Sequence, residues 1–256
     1  KDKMGVAWGK PLTIACAILA LLIAIVKIMP GGNRPNIEKA REREIRYAEV
    51  SARTLGDYLA KNYPGSRALV IRPIQMPGAE DPISAARLAG LKDGLGSKIE
   101  IVATVSPEIP EEYKQYMADM PPGPEGQEMA YMVMGPMMDS MLQAEGFNKI
   151  LEEHKGEYDI VISAIGLPMD LENLVCWTMD PKPPVALLTT MQLHRLKEAI
   201  KQGFVPAVVS YRPNPEIDVK KVPSDYAEAF AQRYLLITKD NIDEIVQEYG
   251  NLFPEM

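Results

Sequence analysis

Cysteine and histidine are almost absent from this chain. The two cysteines, Cys16 and Cys176, are too far apart in character and position to pair, so there is no disulfide framework. Neither histidine, His154 nor His194, has metal-ligand spacing, and both read as surface residues. Catalytic signatures are missing too. There is no Gly-x-Gly-x-x-Gly, no phosphate-binding Walker loop and no Gly-x-Ser-x-Gly. No catalytic residue, metal or cofactor is therefore assigned. Positive charge is in deficit, with a net charge of −7, which argues against a nucleic-acid partner. Cys176, beside Trp177, has no basic neighbour in sequence to activate it and reads as a packed thiol.

Long apolar runs are also scarce. The one present is residues 11–29, PLTIACAILALLIAIVKIM, apolar except for Thr13 and Lys27. As a helix it would cover roughly 28 Å, close to the hydrocarbon thickness of a bilayer. A cleavable signal would have a shorter core and a small-x-small cleavage site, which Ile28-Met29-Pro30-Gly31-Gly32 does not offer. A buried core helix would show a polar face. The stretch is read as an uncleaved anchor contacting the bilayer, with Trp8 at one interface and Lys27 snorkelling at the other. Lys1, Lys3 and Lys10 precede it, while Arg34, Lys39, Arg41, Arg43 and Arg46 follow. A short basic head before a long domain is the pattern of a signal anchor with its domain exported, to the periplasm or another extracytoplasmic space.

After a Pro-Gly link, residues 37–62 read as a stalk helix capped by Asn36. Its first half is charged, and its second half carries Val50, Leu55, Tyr58 and Leu59 to dock on the domain. From Arg67 the period changes. Apolar runs at 68–71, 99–105, 158–165, 184–188, 205–210 and 234–238 alternate with helical segments at 82–95, 191–201 and beyond Asp240, which could cap the last. Strands separated by helices require crossovers. The expectation is a doubly wound α/β domain over 67–256, with five or six mostly parallel strands and helices on both faces.

Proline breaks the rhythm between 107 and 146, and six methionines follow. Thioethers suit Cu(I), but no His or Cys stands among them. The segment reads instead as an adaptable packing surface, with Met132, Met134, Met137 and Met138 as candidate contacts to other membrane or envelope proteins.

Open parallel sheets bind ligands beyond the carboxyl ends of their strands. The residues expected there are Arg72, Gln75, Ser106, Gly166, Thr189, Thr190 and Arg212, a set of cations and hydroxyls suited to a small anionic ligand. The bland alternative is that proline simply ends each strand and the arginines pair locally.

The segment Asp81–Leu95, DPISAARLAGLKDGL, resembles the first helix of type I periplasmic solute-binding proteins, which ends in a similar Gly-Leu-x-x-Gly. Tyr158–Gly166, YDIVISAIG, is similar to a strand of that family, and Pro184–Leu188 fits another. The resemblance runs from Ala68 to Arg212 and implies a Rossmann-like lobe. Those proteins close two lobes around a solute, whereas this chain has residues for roughly one, and no binding residues carry over. Two functions follow as expectations. The first is a membrane-anchored, non-catalytic accessory subunit of an envelope assembly. The alternative is a tethered solute-binding or sensor domain for a small anionic ligand.

Overall fold

The computed structural model describes residues 37–74, 81–108, 143–190, 192–213, 215 and 222–254. The apolar stretch 11–29, Asn36, Gln75 and the methionines 132, 134, 137 and 138 lie outside the described residues. Among the described residues, no helix is long and apolar enough to cross a membrane. The chain divides into two compact units, Lys1–Arg43 and Glu44–Met256. The first contributes only residues 37–43 to the described set, and the second holds the sheet.

Helix α1 (Ile37–Asn62) buries Tyr47, Val50, Leu55 and Leu59 along one face, a helical spacing that matches the sequence expectation for its second half. Pro64 and Gly65, the latter at φ 83°, turn the chain into β1 (Arg67–Ile71). Helix α2 (Pro82–Leu95) starts where expected. Proline occupies its first turn, and the Asp81 carboxylate accepts from the amides of Ile83 and Ser84.

The remaining strands are β2 (Glu100–Val105), β3 (Ile160–Ser163), β4 (Val185–Leu187), β5 (Ala207–Tyr211) and β6 (Tyr234–Thr238). They form one sheet in the order β2-β1-β3-β4-β5-β6, parallel except for the β5–β6 pair. Alternate residues face opposite layers. Leu69, Ile71, Val161, Val185, Leu187 and Val208 meet α3 (Ala144–Glu153), α4 (Lys197–Lys201) and α6 (Ile242–Glu248). Ala68, Val70, Ile160, Ile162, Ala186 and Val209 meet α1, α2 and α5 (Tyr226–Arg233). The fold is thus a three-layer α/β domain, with apolar residues on both faces of its inner strands.

Three boundaries differ from the sequence reading. The apolar run 158–165 forms a strand only to Ser163, because the Ser163 hydroxyl turns back to the Gly166 carbonyl at 2.6 Å. Of the expected helix 191–201, residues 192–201 do not form one continuous α-helix, and Met191 lies outside the described residues. A 3-10 turn at Leu193–Leu196 precedes α4, and the Gln192 side chain is tied down below it. Asp240 does not cap α6. Asn241 stands at that position, and its side chain instead accepts from the Thr238 amide and donates to the Leu236 carbonyl.

Candidate functional site

In this strand order the winding reverses between β1 and β3, and open parallel sheets bind ligands beyond the carboxyl ends of their strands at such a point. Registers align that edge: Ile71 pairs with Val105 on one side and Ser163 on the other, and Ser163 pairs with Leu187. Arg72 therefore emerges between Ser106 and Ala164. Its amide is fixed by the Val105 carbonyl at 2.8 Å, and the Ser106 hydroxyl donates to the Pro73 carbonyl at 3.1 Å.

Arg72 is the unusual member. Its Nε is buried without a hydrogen-bond partner, and its guanidinium makes no ion pair among the described residues. A half-buried cation left unpaired is costly unless something else supplies the negative partner. Gly166, at φ 83°, brings the β3 loop against β4. A side chain there would lie 3.4 Å from the Thr189 carbonyl. Thr189 and Thr190 are half-buried, and the Thr190 hydroxyl accepts from the Gln192 amide at 3.1 Å.

Arg212 stands apart. It follows β5, three strand positions from β1, or about 14 Å at the usual strand spacing. Its Nε donates to the Ala231 carbonyl at 2.9 Å and its Nη1 to the Tyr249 hydroxyl at 2.6 Å. The edge thus brings Arg72, Ser106, Gly166, Thr189 and Thr190 into one row, with Arg212 engaged at the far end.

Sequence reading missed three residues that build this edge. Ser163, fully buried, closes the β3 turn, and its Oγ also accepts from the Ile165 amide. Buried Gln192 donates to the Pro168 carbonyl and accepts from Arg195, joining the loops after β3 and β4. Asp170 accepts from the Ala144 amide at 2.8 Å, capping α3 across the chain, and from Asn173 Nδ2 at 3.2 Å. The only sequence signal for Ser163 was a hydroxyl ending an apolar run; the other two act over distances in sequence that no local pattern carries.

Burial pushes the Asp170 carboxyl upward, but the hydrogen bonds from Asn173 and Ala144 outweigh it and hold it below the ordinary carboxylate range. A depressed folded value means that stability is present above the unfolded value, about 4, and is lost as pH falls through the folded one. Asp170→Ala should cost about 1 kcal/mol at neutral pH. In thermal melts, the gap between Asp170→Asn and the parent should narrow as the pH is taken below about 4.

Cys176 is fully buried, and desolvation pushes its thiol up to about 12. In a Cys16→Ser chain we expect no native thiol alkylation and complete alkylation in denaturant. Native reaction within minutes would contradict the buried placement. His154 Nδ1 lies 2.8 Å from the Glu157 carboxylate. Among the described residues, no group of His, Cys, Asp or Glu is arranged to hold a metal ion.

No family model matches this chain, and no curated protein matches it in sequence. Solved structures do. The Caulobacter myo-inositol binding protein, bound to myo-inositol, is 17% identical over 77% of this chain and 60% of its own, with a TM-score of 0.46. The arabinose ABC transporter's periplasmic binding protein from Shewanella sp. ANA-3 is 13% identical over 82% and 64%, at 0.45. A carbohydrate transporter solute binding protein from Agrobacterium radiobacter, in complex with D-arabinose, is 13% identical over 81% and 63%, at 0.47. The chain resembles type I periplasmic sugar-binding proteins at low identity and spans less than two thirds of the length of each.

Proposed function

We propose that this chain is a non-catalytic binding domain, tethered to a membrane by residues 11–29 and working on the extracytoplasmic side. Its ligand is a small polar solute with an anionic group, held beyond the carboxyl ends of β1 and β3. The observation that carries this reading is Arg72, a cation at the point where the winding reverses, with its Nε buried and unpartnered. A carboxylate or phosphate would satisfy that nitrogen and neutralise the charge. Ser106, Thr189 and Thr190 would supply hydroxyls and Gly166 would admit close backbone approach, while Gln75 lies outside the described residues. Arg212 is left out of the ligand set because its guanidinium already serves Ala231 and Tyr249. The accessory-subunit reading rests on the methionines 132, 134, 137 and 138, outside the described residues, and takes second place.

The test is a thermal-shift screen of the full chain against sugar acids, sugar phosphates, small carboxylates and neutral sugars of the kind bound in the similar structures. A ligand at a hundred times its Kd should add about 2.7 kcal/mol, a rise in Tm of roughly 5–10 °C. Arg72→Ala should erase that rise without lowering the ligand-free Tm by more than about 1 °C, because among the described residues its guanidinium has no ion pair to lose. Stabilisation that survives in Arg72→Ala would overturn the assignment, as would a panel in which no anion stabilises.

A further inference from the structure

Beside the row of site residues lies a groove of about 350 Å³ between the β3–β4 and β4–β5 crossovers, lined by none of Arg72, Ser106, Gly166, Thr189 and Thr190. Leu196 and Ala199 contribute apolar wall, and Trp177 and Phe204 contribute aromatic rings. The Trp177 ring and the Phe204 backbone are anchored by hydrogen bonds. The Trp177 indole donates to the Leu171 carbonyl at 2.7 Å, and the Phe204 carbonyl accepts from the Val185 amide at 2.9 Å. Lys182 and Phe204 each stand three residues ahead of a strand, so this end of the groove belongs to the amino edge of the sheet, opposite the edge that carries Arg72.

The charges in the groove do not balance. Arg195 donates to the Met169 carbonyl, to Gln192 Oε1 and, at 3.0 Å, to the Glu172 carboxylate, which pairs it with the one acid on the lining. Lys182 has no carboxylate in ion-pairing reach among the described residues. Its ammonium rests 4.9 Å over the Phe204 ring. The Gln202 amide on the same wall makes no side-chain hydrogen bond among the described residues, and both Lys182 and Gln202 are exposed at the mouth of the groove, where water solvates them until a ligand takes its place. Apolar walls, two rings, one uncompensated cation and one free amide are complementary to an apolar body ending in an anion.

We infer that this groove is a second binding site, for a small arylalkyl carboxylate whose ring lies against Trp177 and Phe204 and whose carboxylate meets Lys182 and Gln202. It is independent of the Arg72 site and would stand if that reading failed.

Trp177 reports its own groove. With Trp8→Phe, the full chain in lipid nanodiscs carries Trp177 as its single tryptophan. Titration with phenylbutyrate should give a saturable change in its emission. Lys182→Met, which keeps most of the stem, should weaken binding about tenfold, as should replacing the ligand by phenylbutyramide. Arg72→Ala should leave the titration unchanged. A non-saturable response, equal affinity in Lys182→Met, or equal affinity for the amide would overturn the proposal. The amide comparison needs no variant, so it holds even if a substitution perturbs folding. Loss of binding in Arg72→Ala would overturn the independence of the two sites.

Discussion

Gly94→Ala should lower the melting temperature by several degrees, although alanine is the better helix former. Gly90 and Gly94 lie four residues apart on one face of α2, where its backbone runs against α1. A Cβ on Gly94 would collide with the Arg53 carbonyl oxygen and sit 2.8 Å from the Asp57 amide nitrogen. One on Gly90 would collide with the Glu49 carbonyl oxygen, and one on Gly56 would meet the Leu91 carbonyl oxygen at 2.8 Å. These are main-chain atoms and cannot swing away. The helices must part, opening the contact among Leu55, Leu59, Leu91 and Leu95. Overpacking costs about 1–3 kcal/mol, and the propensity gain of alanine is about 1 kcal/mol at most, so the clash wins. Gly94→Val adds further bulk and forgoes that gain; we expect a loss of about 3 kcal/mol, or roughly 6–12 °C. Gly250→Ala, with open space around it, is the control and should shift little. A Gly94→Ala chain more stable than the parent would show that the two helices do not touch as described.

Arg233→Met should be the second large loss. The Arg233 fork donates to both oxygens of Glu44, at 2.9 and 2.6 Å, and its carbon centre lies 4.7, 5.4 and 5.7 Å from the ring centres of Tyr47, Tyr211 and Tyr234. Its side chain is 13% exposed, so water screens the cation weakly, while Glu44 at 41% stays well hydrated. The ion pair alone is therefore worth little more than a surface pair, and the rings add most of the remainder. Together we expect a loss of about 2–3 kcal/mol in urea unfolding with an unchanged slope. Arg233→Lys keeps the charge but loses the two-pronged geometry and should recover only part of it. Glu44→Gln should cost less than Arg233→Met, since the tyrosine contacts remain. Equal losses would mean that the ion pair, not the ring cage, holds this corner.

Much of the fold was legible because its periods are clean. The limits of α2 follow from Asp81-Pro82 at one end and Gly96 at the other, and the strands from runs such as Ala68–Ile71. What was not legible depends on atoms brought together from distant segments. The seam of Gly56, Gly90 and Gly94 is invisible until the two helices cross. Asp170 capping α3 spans 26 residues, and the Arg233–Glu44 pair spans 189. Arg72 was named from its place after a strand, but only the structure distinguishes it from Arg212, since local sequence cannot say which arginine finds partners.

The binding site stands or falls with an anion at Arg72. The most direct measurement is the side-chain Nε–H signal of Arg72 in nitrogen-labelled protein, assigned by its loss in Arg72→Lys and followed while the best ligand from the thermal screen is added. This signal should move most among the arginine side chains and saturate with the thermal stabilisation, while those of Arg212 and Arg233 stay in place. Saturable stabilisation with the Arg72 signal unmoved would contradict an anion at Arg72, and would place the ligand elsewhere on the domain.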